Sequence, residues 1–279
     1  MTAATLSGRV GRRAARGAAT VLRNWLLFAI LVVGWEFAAR AGGSKFFPPP
    51  SEIAVTAAKL WFTGPASHLF LTDAVFDNVF PSLARTLGGW ALAAVVGITV
   101  GVLLGRSATA MDYVGPLFAF FRSIPPPTLI PVFAVLFGLS SGMQVGSIIF
   151  GAVWPVLLNA VDGVRSVDQV KVETARSFRT PKAYWVGMVV LPAAAPKIFA
   201  GLRVSLSLAL ILMVISEMVA STNGIGFFVL QSQRSFAIPE MWAGILLLGL
   251  LGYALNLIFL LVERRVLAWH RGARASALG

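Results

Sequence analysis

Long apolar blocks separated by polar segments dominate this chain. Each of six blocks is long enough to cross the roughly 30 Å hydrocarbon core of a bilayer as a helix. They cover about residues 25–41, 83–104, 113–137, 145–161, 198–220 and 241–262. The pattern predicts an all-α membrane protein with about six transmembrane helices. A shorter amphipathic stretch, Ser51–Phe62, follows prolines with a capping-type serine and predicts a short surface helix.

Composition supports this prediction. Hydrophobic residues make up 57% of the 279 positions and charged residues only 12%, whereas soluble domains have about 45–50% and about 25%. Cysteine is absent, which excludes disulfides, a thiolate nucleophile and a cysteine-ligated metal. The two histidines, His68 and His270, are isolated, so we expect no metal site.

The net charge of +12 raises the question of nucleic-acid binding. The basic residues lie mainly between or outside the apolar blocks, where they determine membrane topology. No basic stretch belongs to a fold that presents it to nucleic acid, so we expect no such partner. The arginine-rich start of the chain also resembles a signal peptide, but no small-residue cleavage site follows the first block, and we expect an uncleaved anchor.

The distribution of basic residues predicts the orientation. With six spans, both termini lie on one side, together with the polar segment 162–197. That segment carries six basic residues, whereas the last loop on the opposite side carries only Arg234. The longer first loop there is predicted to carry four basic residues, namely Arg40, Lys45, Lys59 and Arg85. The positive-inside rule therefore predicts that both termini and segment 162–197 are cytoplasmic.

Segment 162–197, which we call the polar insert, has the pattern of two short helices. Ser166 and Gln169 fit a capping box and predict a helix from about Val167. Its apolar face is formed by Val167, Val170, Thr174 and Phe178. Thr180-Pro181 predicts a second helix start, with an apolar face of Tyr184, Trp185 and Met188 and an end at Pro192 and Pro196. Two interpretations remain from the pattern alone, an amphipathic loop on the headgroups or a docking site for a partner.

The polar insert is similar to the EAA loop of binding-protein-dependent ABC permeases, whose pattern is E-A-A, then G, then L-P. Glu173, Ala175 and Leu191-Pro192 match, Thr174 replaces an alanine, and Arg179 stands where the family has glycine. Glycine there supplies a positive φ at the helix end, so the turn is a point to test. The resemblance implies that the insert docks on a separate ATPase subunit through Val170, Glu173, Thr174, Ala175, Arg176, Ser177, Phe178, Arg179, Leu191 and Pro192.

A second stretch supports the same family. The run Arg122-Ser123-Ile124-Pro125-Pro126-Pro127, followed by Leu129-Ile130-Pro131, resembles the R-P-I-P-P-x-A-x-I-P stretch of the nitrate, sulfonate, taurine and bicarbonate branch, with Ser123 and Pro127 as deviations. Glu217-Met218, Gly224-Ile225-Gly226 and residues 243–246 also look like that branch. The resemblance covers about residues 82–265.

This resemblance implies a type I ABC importer permease in the bacterial cytoplasmic (inner) membrane. It further implies two ATPase subunits that bind ATP and Mg²⁺, an extracytoplasmic substrate-binding protein, and a second permease copy in a homodimer. The expected organisation is a basic arm (1–23), a first span with an extracytoplasmic segment (24–81), a transmembrane core (82–265) that contains the insert, and a tail (266–279).

Two intramembrane features are further candidates. Prolines within a span remove backbone hydrogen bonds, which lipid does not replace. The stretch Arg122–Pro127 therefore either kinks a helix for packing or lines the translocation pathway. Glu217 in the fifth block is a gate or pathway residue, a structural acid paired with a neighbouring helix, or an acid that lies near the outer interface. Glu36 in the first block is expected to be structural.

The chain has no G-x-x-x-x-G-K-[ST] motif and no catalytic constellation, so we expect neither enzymatic activity nor a bound cofactor, and ATP belongs to a partner. An ion-coupled secondary transporter is the alternative. It predicts internal repeats with paired broken helices and coupling-ion acids, whereas one strongly broken span and one convincing acid are present. A membrane scaffold is a third class. The sequence does not name the solute, although the branch suggests a small anion such as a sulfonate or nitrate.

Overall fold

The computed structural model describes residues 25–269, and every regular element in that range is helical. The arm 1–23 and most of the tail lie outside the described residues. The helices are α1 Trp25–Gly42, α2 Pro50–Phe62, α3 Phe80–Gly105, α4 Ala108–Ser123, α5 Ile130–Phe137, α6 Ser141–Arg165, α7 Gln169–Ser177, α8 Lys182–Trp185, α9 Leu191–Ala220, α10 Ile225–Arg234 and α11 Ile238–Val266. Single π-helical turns at Val75–Val79 and Val186–Val190 precede α3 and α9.

Five of these helical stretches are long and apolar enough to cross a membrane, and α4 with the Pro126–Phe137 stretch makes a sixth if the bent pair is one span. The all-α membrane fold is therefore confirmed. The span predicted over 113–137 is strongly broken, as its proline cluster indicated, because α4 and the Pro126–Phe137 stretch meet at 83°. Ile124 and Pro125 are both extended, with ψ of 120°. A residue before proline avoids the helical region, and consecutive prolines remove the N–H donors that would continue α4.

Helices α3, α6 and α9 form the centre of the bundle. Glycines on α3 let its backbone approach α6 closely, as small residues do between membrane helices. A Cβ added to Gly101 would lie 2.6 Å from the Cβ of Ala160, and one added to Gly97 would lie 2.9 Å from the Cβ of Val156. The glycine-rich block thus specifies the α3–α6 contact.

The first helix is attached to α2 by a capping interaction. Glu36 accepts hydrogen bonds from the backbone N–H of Ser51 at 3.0 Å and from its hydroxyl at 2.7 Å. The carboxylate lies at the start of α2, where the free N–H groups and the helix dipole favour an anion. Arg40 donates to the same carboxylate at 2.6 Å. The structural role expected for Glu36 agrees with this geometry, and Ser51 lies inside the helix instead of capping it.

Candidate functional site

The first helix of the polar insert begins later than predicted. Ser166 ends α6 instead of capping the next helix, since its N–H and hydroxyl donate to the carbonyls of Asp162 (3.1 Å) and Gly163 (2.8 Å). Asp168 is the N-cap of α7, and its carboxylate accepts from the N–H of Val170 at 2.9 Å. The capping-box prediction was wrong because Ser166 and Asp168 are both good caps. Helix α6 extends to Arg165, so Ser166 satisfies the last carbonyls of α6 and Asp168 caps α7.

The second helix of the insert also differs from the prediction. Pro192 and Pro196 do not end it, because Lys182–Ala220 is one apolar helical stretch of 39 residues. The π-helical turn Val186–Val190 closes with the N–H of Leu191 donating to the carbonyl of Val186. Pro192 then lies in the first turn of the next α-helical segment, where proline loses no hydrogen bond. The insert is therefore continuous with a transmembrane helix, so a displacement of one can be transmitted to the other.

A Schellman motif joins the two helices of the insert. The N–H of Thr180 donates to the carbonyl of Ala175 and that of Arg179 to Arg176, both at 3.0 Å. Arg179 has φ of +51°, the left-handed conformation that glycine prefers. The arginine in place of the family glycine thus preserves the turn, although a non-glycine residue there costs about 1 kcal/mol.

The insert presents apolar side chains to its surroundings. Phe178 is 79% exposed, Val170 66%, Met188 64% and Tyr184 58%. Together with Pro192 they line an open groove of about 590 Å³. Of the residues predicted for the two apolar faces, Val167 and Trp185 are half-buried against the bundle. Five of the remaining coupling candidates are exposed, namely Glu173, Thr174, Arg176, Ser177 and Arg179. The other three, Ala175, Leu191 and Pro192, are half-buried.

Two short contacts hold the polar side of α7. The amide of Gln169 donates to Glu173 at 3.1 Å, one helical turn away. The hydroxyl of Thr174 donates to the carbonyl of Val170 at 2.7 Å. Neither contact uses a residue of the transmembrane bundle, and the side chain of Glu173 is exposed to its surroundings.

The proline stretch forms the bend between α4 and α5. Arg122, Ser123, Pro125 and Thr128 are exposed, whereas Ile130 is buried just after the bend. Pro126 packs against Gly151 of α6, where an added Cβ would lie 3.2 Å from the proline ring. The bundle therefore fixes one side of the bend, and Arg122–Pro125 lie on its other side. A pathway role for Arg122–Pro127 stays a prediction.

Glu217 lies three residues before the end of α9 and is fully buried. Its carboxylate accepts from the guanidinium of Arg85 at 2.8 Å, the hydroxyl of Ser82 at 2.8 Å and the N–H of Gly226 at 3.0 Å. This geometry matches the alternative of an acid paired with a neighbouring helix. Arg85 also donates to the side chain of Asn223 at 2.6 Å, so the group joins α3, α9 and the start of α10. A gating role for Glu217 stays a prediction.

Arg85 lies elsewhere than predicted. The prediction places it in the first loop, whereas the structure buries it within α3. The available signal was that Arg85 and Ser82 stand at the very start of an apolar block, where an unpaired charge is costly and needs a partner. Ser82 and Asn223 were not identified as members of the site.

The chain is similar in sequence to a known family of membrane proteins. Residues 93–268 match the family of binding-protein-dependent transport system inner membrane components. The chain belongs to this family. It is 30% identical to the taurine transport system permease protein TauC of Escherichia coli (strain K12) over 88% of both chains. It is also 28% identical to the nitrate import permease protein NrtB of Synechocystis, over 88% of this chain and 89% of that protein.

The solved structures show the same fold. The inward-facing MetNI methionine ABC transporter matches with a TM-score of 0.60 at 22% identity, covering 68% of this chain and 94% of that chain. The protein is therefore a permease subunit of an ABC importer with the type I fold, in the inner membrane, and not an ion-coupled secondary transporter. Membership of this family implies partnership with an ATPase and a substrate-binding protein.

Proposed function

We propose that the polar insert is the surface through which this permease receives the mechanical work of its ATPase. The observation that carries the proposal is the exposed apolar groove around Phe178, Val170 and Met188. Exposed apolar side chains at this density mark an interaction surface. Because Lys182–Ala220 is one helical stretch, motion of the insert is passed directly into α9. ATP and Mg²⁺ are bound by the two partner ATPase subunits, and this chain binds no cofactor.

The proposal requires that the insert and both termini lie in the cytoplasm. The charge distribution supports this orientation. The last loop on the opposite side of the membrane has only Arg234, whereas six basic residues lie in the insert and next to it, namely Arg106, Arg165, Arg176, Arg179, Lys182 and Lys197. The binding protein then approaches from the side of α2 and α10, and delivers its solute there.

We further propose that two copies of this chain enclose the translocation pathway. Helix α4 contains no buried residue, and Tyr113 on α4 and Val135 on α5 are 80% and 86% exposed. A helix that a single copy leaves uncovered is available to a second copy or to lipid. The bend at Arg122–Pro127 lies on this uncovered side, and this position supports a pathway role for polar Arg122 and Ser123. Glu217 would act at the outer end of the same pathway by holding α10 in position.

The relatives suggest the class of solute. Their names specify transport of taurine, aliphatic sulfonates, nitrate and bicarbonate, each a small molecule with an oxyanion or sulfonate group. We propose that this permease carries a solute of the same class. The exposed guanidinium of Arg122 supplies the charge complementarity that a passing anion needs.

A substitution in the insert tests coupling. In membranes that contain the complete transporter, Glu173→Lys is expected to abolish ATP-driven uptake, because it reverses the charge at the centre of the docking face. Phe178→Asp is expected to release the ATPase during purification, since it places a charge in the groove. Unchanged uptake and unchanged copurification of the ATPase with both variants would contradict the proposal.

Phe236→Asp is the matched control. Phe236 is 76% exposed and follows α10 in a left-handed turn that resembles the one at Arg179. It lies in the loop before α11, on the side of the membrane opposite to the proposed side of the insert. It introduces the same charge into an equally exposed aromatic position. Copurification of the ATPase is expected to be unchanged in this variant.

A further inference from the structure

A second cavity lies between the insert and the bundle. Its volume is about 570 Å³, within the range of about 300–1,000 Å³ typical of ligand sites. The ends of α3 and α6 form one wall through Arg106 and Arg165, and α7, its turn and α8 form the other. The cavity is open to solvent and shares only Ala175, Thr180 and Trp185 with the groove around Phe178.

Its lining is strongly cationic. Five basic side chains converge on it, namely Arg106, Arg165, Arg176, Arg179 and Lys182. None of the residues that line the cavity is acidic. Within residues 25–269, the ion pairs are Glu36–Arg40, Arg85–Glu217 and Arg203–Glu263, and none of them involves a cavity residue. The carboxylate of Glu173, which is bonded to the lining residue Gln169, is the nearest acidic group on α7. One carboxylate does not balance five basic groups, so these groups repel one another, and a bound anion reduces that repulsion.

Topology alone does not explain this arrangement. The positive-inside rule depends on how many basic residues flank the spans, and it does not require that five of them face one cavity. The guanidinium groups also suit a particular ligand, because their planar fork binds phosphate oxygens in pairs. We propose that this cavity is a binding site for a phosphate-bearing anion.

Two sources can supply that chemistry. Arg106 follows the last residue of α3, and Arg165 is the last residue of α6, so the cavity lies where the spans leave the hydrocarbon core and lipid headgroups begin. An anionic phospholipid reaches it from the membrane. Inorganic phosphate or a soluble phosphate ester reaches it from the aqueous side, through the open mouth.

The test uses purified full-length permease with the partner subunits that copurify. Native mass spectrometry measures binding of phosphatidylglycerol against phosphatidylcholine, and equilibrium dialysis measures binding of inorganic phosphate. The variant is Arg106→Gln with Arg165→Gln, which leaves the coupling candidates unchanged. The control is Lys59→Gln with Arg234→Gln, which removes the same charge from exposed positions elsewhere.

We expect one probe to bind the wild type and the control about tenfold more tightly than the Arg106/Arg165 variant, as expected for the loss of charge-assisted hydrogen bonds. A preference for phosphatidylglycerol identifies the lipid headgroup, and binding of phosphate alone identifies a soluble anion. Equal binding of both probes to wild type and variant, or binding of neither, overturns the proposal.

A measurement on the wild type covers the case in which the variant does not fold. Hydrogen–deuterium exchange of residues 165–182 is expected to slow when the bound probe is added, because the anion links α6, α7 and α8. Exchange that does not change at a saturating concentration of either probe also overturns the proposal. Both readouts are binding measurements, so they are separate from the uptake that tests the coupling function.

Discussion

The guanidinium of Arg85 donates to the carboxylate of Glu217 across 2.8 Å, and the two residues are 132 positions apart in the chain. Both side chains are buried, and the contact joins α3 to α9. Ser82 and Gly226 donate to the same carboxylate, so its oxygens are satisfied. A buried, fully paired acid of this kind fixes the relative position of the helices around it.

Breaking this ion pair is expected to destabilise the protein. Arg85→Met and Glu217→Met each leave a buried partner charge, which costs about 3–5 kcal/mol in the free energy of unfolding. The double variant is expected to cost less than the sum of the two, because neither charge is left alone. Denaturation of the purified protein in mixed detergent measures all three. The control Arg40→Gln disrupts an exposed pair and is expected to cost about 0–1 kcal/mol. Strictly additive single effects would show that the contact is unimportant.

Gly224 is expected to tolerate no side chain. Its φ is +113°, and an added Cβ would lie 2.4 Å from the carboxylate of Glu217. Gly224→Ala therefore combines backbone strain of about 1–3 kcal/mol with displacement of the buried carboxylate. A lowered midpoint of thermal unfolding checks this. Gly249→Ala, in open space on α11, is the control and is expected to leave the midpoint unchanged or raise it.

The glycine seam between α3 and α6 gives a paired prediction. Gly101→Val is expected to destabilise the protein by at least about 1–3 kcal/mol, since the added atoms collide with Ala160 and the carbonyl of Leu157. Gly88→Ala meets nothing within 4 Å and is expected to be neutral or to stabilise by up to about 1 kcal/mol through helix propensity. Thermal unfolding in detergent compares the two. Equal effects at both positions would contradict the packing described for α3.

The apolar blocks were sufficient to predict the helical membrane fold, because the length of an apolar stretch alone decides whether it can span a bilayer. Details that depend on competition between neighbouring residues were not predictable. Ser166 and Asp168 both suit a cap, and only the true end of α6 decides between them. Pro192 continues a helix because a π-helical turn precedes it. No local pattern contains that information.

The functional site was likewise predictable from the sequence only in part. The insert was identified from a short, nearly contiguous pattern, and its exposed face follows from helical spacing. Arg85 and Glu217 meet only through tertiary packing, so a single sequence gives no sign that these two residues are partners. The left-handed conformation of Arg179 was unexpected for a different reason, since arginine rarely adopts it and the surrounding Schellman hydrogen bonds enforce it.

Arg179→Gly tests that turn. Glycine adopts the left-handed conformation without a steric penalty, so the variant is expected to stabilise the turn by about 1 kcal/mol. Slower amide hydrogen exchange at Thr180, whose N–H closes the motif, is the direct readout. Arg176→Gly provides the comparison, because it places glycine within α7 and is expected to accelerate exchange there. Faster exchange at Thr180 in Arg179→Gly would contradict the assigned turn.

The proposed function requires that the polar insert is a cytoplasmic surface held by the ATPase. The chain contains no cysteine, so single cysteines report their positions without background. Phe178→Cys and Phe70→Cys replace exposed aromatic residues at the two ends of the molecule, and a membrane-impermeant maleimide is applied to right-side-out and inside-out vesicles. We expect the Phe178→Cys variant to be labelled only in inside-out vesicles and to be protected when the ATPase is bound. The Phe70→Cys variant is expected to be labelled only in right-side-out vesicles. Labelling at 178 from outside, or labelling that ignores the ATPase, would contradict the proposed function.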